Sequence, residues 1–97
     1  MAAQALLDYE NLTDLELAAH FAAKDPRAVR LVTTRNNQRL FRTAWSILKN
    51  RSEAEDVVQE TYLRALGAIA KFEGRSSFST WLTRIAINEA LTRKRAQ

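Results

Sequence analysis

The sequence contains no cysteine, one proline and two glycines among its 97 residues. The absence of cysteine excludes disulfide bonds, thiolate metal sites and a cysteine nucleophile. So few turn-forming residues argue against a fold built from short strands. No apolar run approaches the roughly 20 residues that a membrane span needs, and the first residues lack the pattern of a signal peptide. We therefore expect no insertion into a membrane.

The length suits one small hydrophobic core, so we expect a single domain over residues 1–97, with residues 1–11 flexible. Hydrophobic residues make up 46% of the chain and charged residues 27%, which is typical of a globular protein. The net charge of +4 favours a nucleic-acid partner only weakly, because many small basic proteins bind none.

Charged residues are grouped along the chain rather than mixed. Residues 26–51 carry seven bases and no acid, whereas residues 52–60 carry four acids and no base. One interpretation is that these blocks neutralise each other across a folded bundle. The other is that they form two surfaces for two different partners. Composition alone leaves both open.

The first helix signals lie near the N-terminus. Thr13 and Glu16 fit a capping box, which predicts a short helix that runs to about Lys24. Asp25 followed by Pro26 is the next start signal, because an acceptor side chain precedes a proline suited to the first helical position.

A long second helix is predicted to run to about Lys49. Its apolar residues recur mostly at spacings of three or four, which is typical of one buried stripe. Asn36 and Asn37 interrupt that stripe and weaken it locally. The stripe consists of Val29, Val32, Leu40, Phe41, Ala44, Trp45 and Leu48.

Two further helices and a loop are predicted in the second half of the chain. Ser52 and Glu55 fit another capping box at the start of a third helix. Residues 71–77 have the composition of a loop, and Ser76 or Ser77 would cap a last helix. We therefore predict an all-α fold, a compact bundle of one short and three longer helices.

Motifs for catalysis are missing. The sequence has no P-loop, no paired-glycine dinucleotide motif and no HExxH. Its one histidine, His20, lies in an apolar run and is expected to be an ordinary half-buried side chain. Glu53, Asp56 and Glu60 could share a helix face and hold Mg²⁺ in a metal-dependent hydrolase, but no other helix offers a matching acid. We expect no enzyme, no metal and no cofactor.

Aromatic residues alternate with cations and hydroxyls between residues 71 and 81. This combination suits unpaired nucleic acid, because a base stacked on an aromatic ring gains ~1–3 kcal/mol and phosphates accept hydrogen bonds. The spacing is equally typical of a packed core. We expect Phe78 and Leu82 in the core and Phe72 as the most exposed aromatic ring, and we leave Trp81 undecided.

One side of the last helix is polar. Thr80, Arg84, Asn88 and Arg95 follow each other at spacings of four, four and seven. Asparagine can form two hydrogen bonds with adenine, and arginine binds phosphate or guanine. This side of the helix is therefore a candidate for contact with nucleic acid.

Several stretches taken together resemble region 2 of the extracytoplasmic-function (ECF) bacterial sigma factors. They are SEAEDVVQE (Ser52 to Glu60) with the following TYLRA, FEGRSSF (Phe72 to Phe78), TWLTRIA (Thr80 to Ala86) and NEA (Asn88 to Ala90). The resemblance covers roughly residues 12–95. It implies a non-enzymatic, cytoplasmic factor of transcription initiation.

The resemblance also implies partners and sites. Such domains dock on the clamp coiled coil of RNA polymerase core, and Asp56, Gln59 and Glu60 would make those contacts. They melt the promoter minus-ten element and capture a base of the non-template strand in a loop, here residues 71–77. An anti-sigma factor is a further expected partner. The residues that would bind DNA are Phe72, Gly74, Arg75, Ser76, Ser77, Thr80, Trp81, Arg84, Asn88, Arg93 and Arg95.

The chain departs from the family pattern in two ways. Glu73 and Arg75 are exchanged in charge relative to the common arrangement around the glycine, which bears on the base that the loop prefers. The helix-turn-helix domain of the family has no counterpart in the sequence. The alternative function is a helical module that binds an acidic protein without reading DNA, and selective binding of single-stranded oligonucleotides separates the two.

Overall fold

The structure is a computed structural model that describes residues 8–97. Within this range it has four α-helices, two short 3-10 turns and no strand, which confirms the predicted bundle of one short and three longer helices. The helices are α1 (Asp14–Ala22), α2 (Pro26–Leu48), α3 (Arg51–Ala68) and α4 (Phe78–Ala96), and the turns are Tyr9–Asn11 and Ile69–Lys71.

The predicted starts of α1 and α2 are confirmed. In the capping box, the Glu16 amide donates to Thr13 Oγ1 at 3.1 Å, and the Thr13 amide donates to Glu16 Oε1 at 2.8 Å. Asp25 caps α2 by accepting from the Arg27 amide at 3.1 Å, and Pro26 occupies the first turn. Both ends therefore satisfy amide groups that have no partner within the helix.

The predicted capping box at Ser52 and Glu55 is wrong, because α3 begins earlier. Asn50 is the N-cap, and its Oδ1 accepts from the Glu53 amide at 2.9 Å. Lys49 adopts a left-handed conformation, with φ of 55°, and this single residue ends α2 and reverses the chain. The asparagine directly after it is then already placed to start the next helix.

The core lies where α2, α3 and α4 pack together, with α1 covering one end. Its largest fully buried residues include Phe78 and Leu82, as predicted. Asn36 does not interrupt the stripe of α2: it is 2% exposed and continues the spacing from Val32 to Leu40. Its Nδ2 donates to the Val32 carbonyl oxygen at 2.8 Å, whereas its Oδ1 has no hydrogen-bond partner among residues 8–97.

Trp45 was predicted in the buried stripe but lies largely outside it. The side chain is 44% exposed, and the Lys49 ammonium lies 4.7 Å from the centre of its ring. Successive buried residues of α2 are four positions apart, so the buried side moves gradually around the helix. At the C-terminal end this drift buries Ala44 and Leu48 and leaves Trp45 in solvent.

Residues before α1 are tied to the start of α2. The Tyr9 hydroxyl donates to Asp25 Oδ2 at 2.5 Å, and the Arg27 guanidinium lies 4.5 Å from the centre of the Tyr9 ring. The hydrogen bond from Tyr9 holds the pKa of Asp25 below its ordinary value. Residues 9–11 thus form a turn that contacts the start of α2, and residues 1–7 of the segment expected to be flexible lie outside the described part of the chain.

Candidate nucleic-acid and protein-binding surfaces

The loop between the turn Ile69–Lys71 and α4 has a defined shape. Gly74 adopts a φ of 76°, a conformation that favours glycine. Ser77 is the N-cap of α4, as predicted, and its Oγ accepts from the Thr80 amide at 3.0 Å. Glu73 and Arg75, the exchanged pair, form an ion pair with 3.1 Å between Oε1 and Nε.

Phe72 is not the exposed aromatic ring that the sequence suggested. It is 8% exposed, and its ring centre lies 5.4 Å from that of Phe78 and 5.3 Å from that of Trp81. The chain after the turn folds back toward the bundle, so the ring joins the aromatic cluster of the core. Its faces are therefore not free for a base to stack on.

Trp81 is the partly exposed aromatic residue of this region. One face of its ring stacks on Phe78, with 5.7 Å between ring centres and 19° between ring planes. The side chain is half-buried and borders a cleft of about 160 Å³ beside the loop. The cleft is lined by Lys71, Phe72, Glu73, Arg75, Ser76, Trp81 and Arg84. The lining thus combines three cations and one carboxylate with two aromatic residues and one hydroxyl group.

The polar side of α4 is exposed as predicted, but its residues do not all reach the same site. Arg84 lines the cleft beside Trp81. Asn88, one turn or about 6 Å further along the helix, borders a separate groove between α3 and α4. Thr80 accepts a hydrogen bond from the Ser77 hydroxyl at 2.8 Å, and Arg95 lies near the far end of the helix.

Arg93 is a structural cross-link rather than an open phosphate contact. Its Nε donates to Glu89 Oε2 at 3.1 Å, and its Nη1 lies 3.7 Å from Asp56 Oδ2 on α3. Glu89 is buried, and its Oε1 also pairs with Arg64 Nε at 2.8 Å. This pairing leaves Arg93 less available to phosphates than an unpaired arginine would be, because a buried carboxylate needs its charge partners.

The outer face of α3 combines acidic, polar and apolar groups. Asp56 and Gln59 are exposed as predicted, whereas Glu60 is half-buried beside Arg64, with 3.3 Å between Oε2 and Nε. Leu63 was missed by the sequence analysis. It is 63% exposed and follows Asp56 and Gln59 at positions i+7 and i+4. The signal was available, because this leucine lies outside the apolar stripe of its helix.

A groove between α2 and α3 was also missed. Its volume is about 640 Å³, and it is lined by Thr33, Asn37, Phe41, Glu55, Val58, Gln59 and Tyr62. The Tyr62 hydroxyl donates to Asn37 Oδ1 at 2.6 Å, and burial raises the pKa of Tyr62 to about 12. Gln59 belongs to both this groove and the outer face of α3, so the two surfaces are continuous.

The carboxylates considered for Mg²⁺ do not form a metal site. Among residues 8–97 no group of three or more acidic, histidine or cysteine side chains is arranged to hold a metal ion. Glu53 instead accepts a hydrogen bond from the Gln97 side chain. His20 is half-buried, as expected, with Nδ1 3.2 Å from Asp25 Oδ2. Within the described range, no helix is long and apolar enough to cross a membrane.

Comparison with known proteins gives consistent matches. The family model described as Sigma-70 region 2 matches residues 32–97. The ECF RNA polymerase sigma-E factor of Haemophilus influenzae is 36% identical over 81 residues, which cover 84% of this chain and 42% of that protein. The RNA polymerase sigma-H factor of Pseudomonas aeruginosa is 35% identical over 77 residues, which cover 79% of this chain and 40% of that protein.

A solved structure has the same fold. It is the NMR structure of an engineered region 2 of sigmaE in complex with GTAAAA, with a TM-score of 0.74 and 33% identity. The match covers 91% of this chain and 92% of that one. The chain spans about two fifths of the length of the curated relatives that it matches.

Proposed function

This chain belongs to the sigma-70 region 2 family, and from that premise we propose that it recognises the minus-ten element of a promoter and stabilises its melted state. In this proposal the loop and α4 bind unpaired bases of the non-template strand, and α3 docks on core RNA polymerase. The domain performs no chemical step. It favours the open form of the promoter by binding bases that the closed duplex does not offer.

The observation that carries the proposal is the cleft beside Trp81. Trp81 packs one ring face on Phe78 but is only half-buried, so part of its ring borders the cleft and offers area on which a base can stack. Lys71 and Arg84 border the same cleft and suit the phosphates on either side of that base, while Arg75 is paired there with Glu73. The solved complex of an engineered sigmaE region 2 with GTAAAA, at 33% identity to this chain, supports the binding of such a strand by this fold.

The buried position of Phe72 changes its proposed role. It packs against Trp81 and supports the position of that ring, rather than stacking on a base itself. Asn88 borders a neighbouring groove, so in this proposal it contacts a base next to the captured one. The pair of Glu73 and Arg75 lies at the rim of the cleft, where its exchanged charges would influence which base is accepted.

Fluorescence of Trp81 offers a direct test. The chain has two tryptophans, so Trp45→Phe leaves Trp81 as the sole reporter. We expect a single-stranded oligonucleotide containing GTAAAA to quench this emission and to bind more tightly than the complementary strand TTTTAC. Arg84→Ala should weaken binding, whereas Arg30→Ala, an equal loss of charge on an exposed part of α2, should change it little. Equal binding of both strands without quenching would favour the helical module for an acidic protein.

Docking on the polymerase is assigned to the outer face of α3. Asp56 and Gln59 provide an anionic and a polar group, and the exposed Leu63 adds apolar area to the same face. Such a combination is typical of a protein-binding surface, in which apolar contact supplies affinity and charge supplies orientation. The α2–α3 groove extends this surface on one side.

Pull-down with core RNA polymerase tests the docking surface. Asp56→Ala and Leu63→Ala should each weaken retention of the domain while leaving the binding of oligonucleotides intact. Glu10→Ala removes an exposed negative charge outside α3 and serves as the control. Retention that is unchanged in both α3 variants would contradict the assignment.

The outer face of α3 is also where we propose that an anti-sigma factor competes with the polymerase. Activity on promoters, as proposed, would take place in the cytoplasm.

A further inference from the structure

The first residues of α1 and α4 are joined by a hydrogen bond. The Phe78 amide donates to Asp14 Oδ1 at 2.8 Å, across 64 positions of the sequence. Phe78 directly follows the loop, and its amide is one of the groups at a helix start that lack a partner within the helix. The Asp14 carboxylate is also favourable there because the N-terminal end of α4 carries partial positive charge.

A second contact joins α1 to the loop itself. The Leu15 side chain lies against the bare face of Gly74: a Cβ atom built on that glycine would be 3.0 Å from Leu15 Cγ and 3.2 Å from Cδ1. Leu15 is nevertheless 53% exposed. An apolar side chain on the surface of α1 thus covers the glycine at the bend of the loop.

Few other interactions fix this loop. Outside the helices of residues 8–97, no amide of residues 73–77 donates to a backbone carbonyl, and only the Ser77 carbonyl accepts, from the Trp81 amide. The ion pair of Glu73 and Arg75 lies within the loop and does not attach it to the bundle. The contacts from α1 therefore supply much of what holds the loop in one conformation.

We propose that Asp14 and Leu15 are positioning residues of the base-binding loop, which act on the recognition of DNA without contact with it. This inference rests on the proposed function. A loop that is already ordered binds more tightly than one whose competent conformation is only partly populated, by the factor of that population. Ordering before binding also avoids an entropic cost during association. Through these two residues, α1 sets how well the cleft beside Trp81 is formed.

The test compares three variants with two controls. Asp14→Ala removes the acceptor for the Phe78 amide, Asp14→Asn keeps an acceptor oxygen, and Leu15→Ala removes the cover of Gly74 but leaves the hydrogen bond. Glu10→Ala and Leu31→Ala are matched controls, since they remove a carboxylate and a partly exposed leucine away from the loop. Far-UV circular dichroism and thermal unfolding establish that each variant is folded.

Two measurements are made on each variant. Amide hydrogen exchange and ¹⁵N relaxation of residues 73–78 report the order of the loop in the free domain. Fluorescence titration reports the affinity for a GTAAAA strand relative to the complementary strand. For Asp14→Ala we expect exchange of the Phe78 amide to accelerate by about tenfold or more. We expect its preference for GTAAAA to fall by roughly threefold or more, with Asp14→Asn within about twofold of the wild type.

The results separate this inference from the function on which it rests. If Asp14→Ala and Leu15→Ala leave the loop as ordered as in the wild type, the inference is wrong. It is equally wrong if they mobilise the loop while the preference for GTAAAA stays unchanged, because the contacts then serve the fold alone. A wild-type domain that binds both strands equally contradicts the proposed function and with it this inference, whereas a wild-type preference for GTAAAA that both variants retain contradicts this inference alone.

Discussion

Phe72 and Trp81 are neighbouring aromatic residues with different consequences for stability and binding. Phe72 is enclosed by other rings, whereas Trp81 is only half-buried. Their sequence context gave no basis for this distinction, because both lie among serines and cations at spacings that suit a core and a stacking surface equally. The choice depends on how the loop folds back, and that depends on Gly74 and on contacts from α1.

Truncation of Phe72 should therefore mainly lower stability, and truncation of Trp81 should mainly weaken the binding of DNA. We predict that Phe72→Ala lowers the free energy of unfolding by about 3–5 kcal/mol, since it removes a buried ring and leaves a cavity. Trp81→Ala should cost less stability and weaken binding of a GTAAAA strand by ~1–3 kcal/mol. Urea denaturation and oligonucleotide titration measure the two effects. A Phe72→Ala variant of unchanged stability would contradict the burial of this ring.

Tyr62 introduces a dependence of stability on alkaline pH. Burial raises its pKa from the ordinary value of 10.0 to about 12 in the folded domain. The unfolded chain therefore loses this proton first, so the stabilising effect is complete below pH 10 and declines as the pH rises toward 12. We predict that the urea midpoint of the wild type falls more steeply over this range than that of Tyr62→Phe. Parallel profiles of the two proteins would contradict the prediction.

At the scale of elements, the helices could be predicted because local signals agree with the tertiary contacts. The capping box at Thr13 and the Asp25–Pro26 start needed no long-range information. The predicted start of α3 was wrong because two residues satisfy the same local rule: both Asn50 and Ser52 have an acid three residues later. The left-handed conformation of Lys49 ends α2 and leaves Asn50 at the N-cap of α3. The sequence did not indicate this conformation, because position 49 holds neither a glycine nor an asparagine.

The two candidate caps of α3 differ in their expected effect on stability. Asn50→Ala should lower the free energy of unfolding by about 1 kcal/mol, because the Glu53 amide loses its acceptor. Ser52→Ala lies inside the helix and should be neutral or slightly stabilising, as alanine is the better helix former. Chemical denaturation of both variants measures the difference. A larger loss at Ser52 than at Asn50 would restore the capping box predicted from the sequence.

For the whole molecule, no ion pair across the bundle joins the basic block of residues 26–51 to the acidic block of residues 52–60; within residues 8–97 the one pair between these blocks, Arg51 with Glu55, lies inside α3. Acids and bases neutralise each other between α3 and α4, through Arg64, Glu89, Arg93 and Asp56. In contrast, the exposed arginines of α2 have no carboxylate within 4.0 Å among residues 8–97. They are Arg27, Arg30, Arg35, Arg39 and Arg42. Grouping of charge along the sequence could not distinguish pairs between helices from free surface charge, because that depends on which faces pack.

Arg93 and Arg95 provide the corresponding comparison. Arg95→Ala should reduce the slope of the logarithm of affinity against the logarithm of salt concentration by roughly 0.7, the value for one phosphate contact on a single strand. Arg93→Ala should change this slope little and instead lower stability, because the buried carboxylate of Glu89 loses one of its two charge partners. Titrations at salt concentrations from about 50 to about 200 mM separate the effects of the two variants. Equal slopes for Arg95→Ala and the wild type would contradict a phosphate contact at this end of α4.

The side-chain amide of Asn36 is a buried polar group whose hydrogen-bonding capacity is only partly satisfied. An acceptor without a donor in the middle of a packed helix costs free energy in every folded molecule. Asn36→Leu should therefore raise the free energy of unfolding by about 1 kcal/mol or more, whereas Gln38→Leu on the exposed side of α2 should not. Such a gain would strengthen the centre of the bundle without touching the cleft beside Trp81 or the outer face of α3.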